Sequence, residues 1–175
     1  MKPDRVPRQP YSILTDKIES DNNKYLELSA PLIGYIVYDF NILEETLTDM
    51  ICEMISEMWN DEGLVITQNM NFASKVALFD RYSKWVQSGH EKKLPIHKSL
   101  VNNLIRCGQL RNIVIHSEYE PFDLEGYTLT KFKIDPNASN QEYVQFDIES
   151  LKRIRVFIKS TIEQILHYDT EIKNL

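Results

Sequence analysis

Only two cysteines occur in the 175 residues, Cys52 and Cys107. They make neither a disulfide framework nor a CxxC metal pair, and each lies in an apolar helical pattern, so both are expected to be reduced core residues. No apolar run approaches the roughly 18 residues that cross a bilayer, so no spanning helix and no membrane partner are expected. The N-terminal stretch "MKPDRVPRQP" lacks the apolar core of a signal peptide, and a cytoplasmic protein is expected. P-loop, GxGxxG, GxSxG and HExxH patterns are all missing. His90 and His97 with Glu91 match no standard metal spacing, and Pro95 interrupts them, so loop and surface roles are expected and no metal or other cofactor is implied.

What is present is ordinary for a folded chain: 42% apolar and 26% charged residues, enough for one domain with a real core. The net charge of −6 argues against a nucleic-acid partner until its distribution is considered. From Arg81 to His116 the cations are Arg81, Lys84, Lys92, Lys93, Lys98, Arg106 and Arg111, against the single acid Glu91. Three of the four histidines share that window. Such a segment reads either as a solvated basic face or as an electropositive surface for phosphates.

Residues 1–12 hold three prolines and three cations and read as a flexible tail, leaving 13–175 as a single domain. After a polar break at Asp21 to Asn23, Ser29 is expected to cap a long helix with Pro31 in its first turn. Apolar residues from Ile33 through Ile36, Phe40, Leu43, Leu47 and Ile51 to Met58 recur at helical spacing. "NDEGLVITQNMN" reads as a loop, and Asn69 or Asn71 caps a second helix carrying Phe72, Val76, Phe79, Tyr82, Trp85 and Val86. A third helix is expected from near Pro95, burying Leu100, Val101, Leu104 and Ile105, with Gly108 marking a kink or a close contact. "YTLTKFKI" and "EYVQF" alternate like strands around "DPNASNQ". Asp147 then caps a last helix that turns Leu151, Ile154, Ile158, Ile162, Ile165 and Leu166 inward. The expected fold is all-α: an antiparallel four-helix bundle with a small β-hairpin inserted before the last helix.

The chemistry-bearing stretch is "LRNIVIHSEYE", Leu110 to Glu120. Helix and strand geometry both turn Asn112 and His116 to one side. Arg111 separates the two cases. In a helix it is about 100° around from Asn112, close enough for its long side chain to join them, whereas a strand sends it to the opposite face. The preceding apolar helix favours the helical alternative over the modest strand preference of Ile113, Val114 and Ile115.

Arginine, asparagine, three residues and histidine at the end of an apolar helix resemble the RNxxxH motif of HEPN domains, many of which are metal-independent ribonucleases. This spacing arises by chance roughly once in a hundred such sequences. The long first helix with "FNILEETL", the second with "FASKVALF" and the final helix extend the likeness over residues 30 to 170. The resemblance implies a homodimeric endoribonuclease, a toxin or phage-defence effector, that brings two copies of Arg111, Asn112 and His116 into one cleft and leaves 2′,3′-cyclic phosphate ends. Histidine suits the proton transfers because its ordinary pKa lies near working pH, and arginine supplies a permanent charge for the phosphorane oxygens. Glu44, Lys98, Arg106 and Tyr119 are the candidate supporting or RNA-contacting residues. A protein inhibitor or antitoxin is compatible with the resemblance. An antitoxin that modifies a tyrosine two residues after the histidine is not implied, because that position is Glu118 and the tyrosine follows at Tyr119. The reading from another class is a non-catalytic helical module for RNA or protein binding, with His116 as a helix-end residue and Arg111 in a salt bridge to Glu44 or Glu118.

Overall fold

The computed structural model describes residues 4–7, 19–56, 61–116, 119–120, 127–135 and 138–175, with side chains over 27–56, 62–116 and 147–175. Five helices dominate: α1 (Glu19–Ile55), α2 (Asp61–Thr67), α3 (Phe72–Gly89), α4 (His97–Ile115) and α5 (Ile148–Lys173). Among the described residues no helix is long and apolar enough to cross a membrane. The contacts divide the chain into two compact units. One holds Met1–Ile36 with Asn112–Ile154, the other Val37–Arg111 with Arg155–Leu175.

The second unit is a helical bundle, and its core is the apolar stripe of each helix. Ile36 aside, Phe40, Leu43, Leu47 and Ile51 of α1 are buried, as are Val76 and Phe79 of α3, Leu100, Leu104 and Cys107 of α4, and Ile158, Ile165 and Tyr168 of α5. Trp85, Ile105 and Leu166, expected inside, are exposed: Ile105 and Leu166 lie one residue round from buried Leu104 and Ile165, and Trp85 lies on the face of α3 opposite Val76, Phe79, Ser83 and Gln87. α4 runs antiparallel to α5: Asn103 donates to Gln164 (2.9 Å), and the Cys107 thiol donates to the Thr161 hydroxyl three residues earlier on α5 (3.5 Å). α1 and α3 instead run in the same direction, since Phe40 packs on Phe72 at 4.7 Å between ring centroids and Glu44 pairs with Lys75.

That parallel pair corrects the expected antiparallel four-helix arrangement. The physical reason is α2, which falls in the stretch expected to be a loop. It packs against α1 at Cys52, and a Cβ on its Gly63 would stand 2.5 Å from the Cys52 Cα, so only glycine permits this approach. The Thr67 hydroxyl donates to the Gly63 carbonyl at 2.8 Å and faces the Cys52 sulfur at 3.9 Å. This packing places the start of α3 beside the middle of α1.

Other boundaries also differ. α1 starts at Glu19, so Ser29 is buried inside the helix and Pro31 lies in its interior rather than in its first turn. A proline there removes one backbone donor, a loss that the long packed helix tolerates. Gly108 does not break α4. A Cβ there would meet the Phe72 ring at 3.0 Å, so the glycine makes room for an aromatic neighbour. Asn71 does cap α3, its Oδ1 accepting from Ser74 N at 2.9 Å, and Asp147 caps α5 through Ser150 N at 2.6 Å.

In the first unit the backbone forms β1 (Asp4–Pro7), β2 (Tyr119–Glu120), β3 (Tyr127–Asp135) and β4 (Ala138–Phe146), in the order β1-β4-β3-β2. β3 and β4 pair antiparallel from Tyr127↔Phe146 to Asp135↔Ala138, and β1 pairs with β4. β1 falls within the stretch read as a tail. The side chains of the hairpin segments lie outside the described residues.

Candidate functional site

The RNxxxH stretch is helical. Despite three consecutive β-branched residues, α4 continues through Ile115, and His116 N donates to Asn112 O at 3.0 Å to close its last turn. The boundary between the two units falls between Arg111 and Asn112. Asn112 and His116 are both exposed and, four residues apart, share one side of the turn. Arg111 is half-buried, with its guanidinium carbon 5.4 Å from the centre of the Phe40 ring. Contact with a ring face favours a cation and holds this one toward α1.

The supporting candidates separate. Glu44 accepts from Lys75 Nζ at 2.8 Å, so its carboxylate is engaged by α3. Lys98 and Arg106 are exposed on α4, and Arg106 donates to Gln109 at 3.4 Å. Tyr119 lies opposite Leu129 in β2, with its side chain outside the described residues, as is Glu118. Cys107 offers no nucleophile: burial pushes its thiol pKa up to about 11, against a hydrogen bond with Thr161. No group of three or more His, Cys, Asp or Glu among the described residues is placed to hold a metal.

The most organised polar constellation lies elsewhere, around His97. Expected in a loop or at the surface, this histidine is buried as the first residue of α4. Its Nε2 is 2.9 Å from Asp80 Oδ1 and its Nδ1 is 3.0 Å from Tyr168 Oη. Gln87 Nε2 donates to the same Tyr168 oxygen at 3.0 Å, while Gln87 Oε1 accepts from Leu94 N at 2.7 Å. A neutral imidazole that satisfies both neighbours carries its proton on Nε2, donates to Asp80 and accepts from the tyrosine. Partial burial pushes the Asp80 carboxyl up, but hydrogen bonds from Lys84 and His97 outweigh it and leave the pKa below its ordinary value. Burial raises the Tyr168 phenol above its ordinary range, against the nearby Ser83 side chain and the hydrogen bond from Gln87. Asp80, Gln87 and Tyr168 were not singled out from the sequence. A usable signal was there: Val76, Phe79, Ser83 and Gln87 share the buried face of α3, and polar residues at core spacing need buried partners.

A turn beside this network carries backbone strain. Lys92 N donates to Gln87 O (3.1 Å) and Glu91 N to Ser88 O (3.2 Å), the pair of bonds of a Schellman helix end. Glu91 occupies the left-handed position with φ 55°, where glycine is usual. Glu91→Gly is therefore expected to stabilise the fold by about 0.5–1 kcal/mol, the left-handed penalty of an L-residue less the extra chain entropy of glycine. Urea unfolding of the variant checks this, and a loss of stability would contradict it.

No protein-family model, no curated protein and no solved structure matches the chain.

Proposed function

We propose that the protein is a HEPN-like, metal-independent endoribonuclease of the cytoplasm, built on a four-helix bundle with a hairpin insert and working as a homodimer in a toxin or defence role. The observation that carries the reading is the exposure of Asn112, on the last turn of α4, and of His116, which directly follows the helix four residues later. His116 performs the proton transfers at the 2′-hydroxyl and the 5′-oxygen. Asn112 orients the imidazole or holds a phosphate oxygen, and Arg111 supplies charge. One protomer has one such histidine, so acid and base together call for a second copy.

A second reading, a non-catalytic module for RNA or protein binding, is favoured by one observation: Arg111 rests on the Phe40 ring. The two readings separate in one assay. Mixed cellular RNA is incubated in EDTA with wild type and with His116→Ala, with the oligomeric state of each measured. The nuclease reading expects cleavage to 2′,3′-cyclic ends and a fall of about a hundredfold or more in the folded variant, the usual weight of a general acid or base. RNA left intact by both proteins would sink it and leave the module.

A further inference from the structure

The basic window of the sequence closes on itself in the helical unit. Between the end of α3 and the start of α4 lies a cavity of about 690 Å³ whose walls include Lys84, Lys92, Lys93, Lys98, His97 and Glu91. Four lysines thus line a cavity with Glu91 as the one acidic residue on its wall, in a protein whose net charge is −6. Gathering like charges is unfavourable unless an anion joins them. Two of the four already have neighbours inside the protein. Lys84 donates to Asp80 (2.7 Å) and Lys92 to the Leu175 carbonyl (3.3 Å). Among the described residues no hydrogen bond or ion pair engages the side chain of Lys93 or of Lys98.

The walls are rigid for a loop-lined cavity. Gln87, itself buried, clamps Leu94 N, the Schellman bonds fix Glu91 and Lys92, and His97 is held from both ring nitrogens. The strained Glu91 backbone turns the chain at this rim, and strain of this kind gathers at ligand sites. His97 and Lys98 bring the first turn of α4 to the cavity, where the helix dipole favours negative charge.

We propose that this cavity is an anion site that takes a phosphate group, with Lys93 and Lys98 as its direct ligands and Lys84 and Lys92 supporting the field. A phosphate dianion uses several ammonium charges at once, and its size leaves room in the cavity for an attached nucleoside. Arg111, Asn112 and His116 do not line the site, so it stands whether or not the chain cleaves RNA. The phosphate comes either from a free nucleotide or from a nucleic-acid strand.

Isothermal titration calorimetry of the full chain at low salt, with inorganic phosphate, adenosine monophosphate and a short oligoribonucleotide lacking terminal phosphates, tests the proposal. At least one probe is expected to saturate, with affinity that falls as salt rises. The Lys93→Gln/Lys98→Gln double variant should bind about tenfold more weakly or worse, from the loss of two nearby charges. Glu91→Gln should bind more tightly. Oligoribonucleotide displaced by the mononucleotide assigns the site to strand phosphates. Mononucleotide binding that the oligoribonucleotide leaves untouched assigns it to a free nucleotide. Absence of saturable binding by all three probes, or an unchanged affinity in the folded double variant, overturns the site.

Discussion

Alanine in place of His97 is expected to lower the unfolding free energy in urea by about 3 kcal/mol, since the half-buried Asp80 and the buried Tyr168 each lose a hydrogen bond and the ring leaves a void. Tyr168 suffers most. Its side chain is fully buried, and its hydroxyl loses the imidazole while Gln87 remains. The Phe79 ring, with its centroid 5.9 Å from that of His97, loses a packing surface as well. Tyr168→Phe keeps the aromatic body and removes the hydroxyl alone, so a smaller loss of about 1.5 kcal/mol is expected. Acid supplies a second readout. The folded pKa of Asp80 lies below its ordinary value. Its stabilisation is therefore complete above the unfolded pKa of about 3.9 and is lost as the pH falls through the folded one. Removing His97 takes away one of the two hydrogen bonds that depress this pKa, so the gap between wild type and variant should narrow below about pH 4. A His97→Ala protein within 1 kcal/mol of wild type, with an unchanged acid limb, would mean that the network does not hold the α3, α4 and α5 segments together.

The parts of this structure that the sequence made legible are those governed by local spacing. The stripe from Ile36 to Ile51 buries as its period dictates, and a four-residue interval sets Asn112 beside His116 once the segment is helical. The caps at Asn71 and Asp147 follow from the same short-range chemistry. What escaped depends on partners distant in the chain. "EGLVIT" carries three consecutive exposed apolar residues, Leu64, Val65 and Ile66, and no amphipathic period, so α2 was hidden and with it the parallel course of α1 and α3. The His97 network joins residues 80, 87, 97 and 168, no two of which signal one another in sequence. Arg111 is legible as a motif residue, but its seat on Phe40 is decided by α1, more than 70 positions away.

That same turn of α1 carries the second large expected effect. Asp39, beside Phe40, is buried, with its side chain 5% exposed, and its Oδ2 accepts from Arg155 Nε at 2.9 Å. Arg155→Met retains the apolar stem and removes the charge, leaving the carboxylate without this partner in a site that water reaches poorly. A loss of about 3 kcal/mol is expected, at the low end for a broken buried pair because the arginine is 24% exposed. The double variant Asp39→Leu/Arg155→Met removes both charges together and should recover most of that loss, since apolar replacement of a whole buried pair is often neutral or better. Urea unfolding of the wild type, both single variants and the double variant completes a double-mutant cycle. If the double variant is as unstable as Arg155→Met, the cost lies in packing around the arginine stem and not in the stranded carboxylate. If it recovers, the pair sets how α5 lies along α1 more than how tightly. The parallel contact from Asp39–Arg155 to Glu53–Lys173, which runs forward along both helices, then rests on apolar packing between these two charged ends.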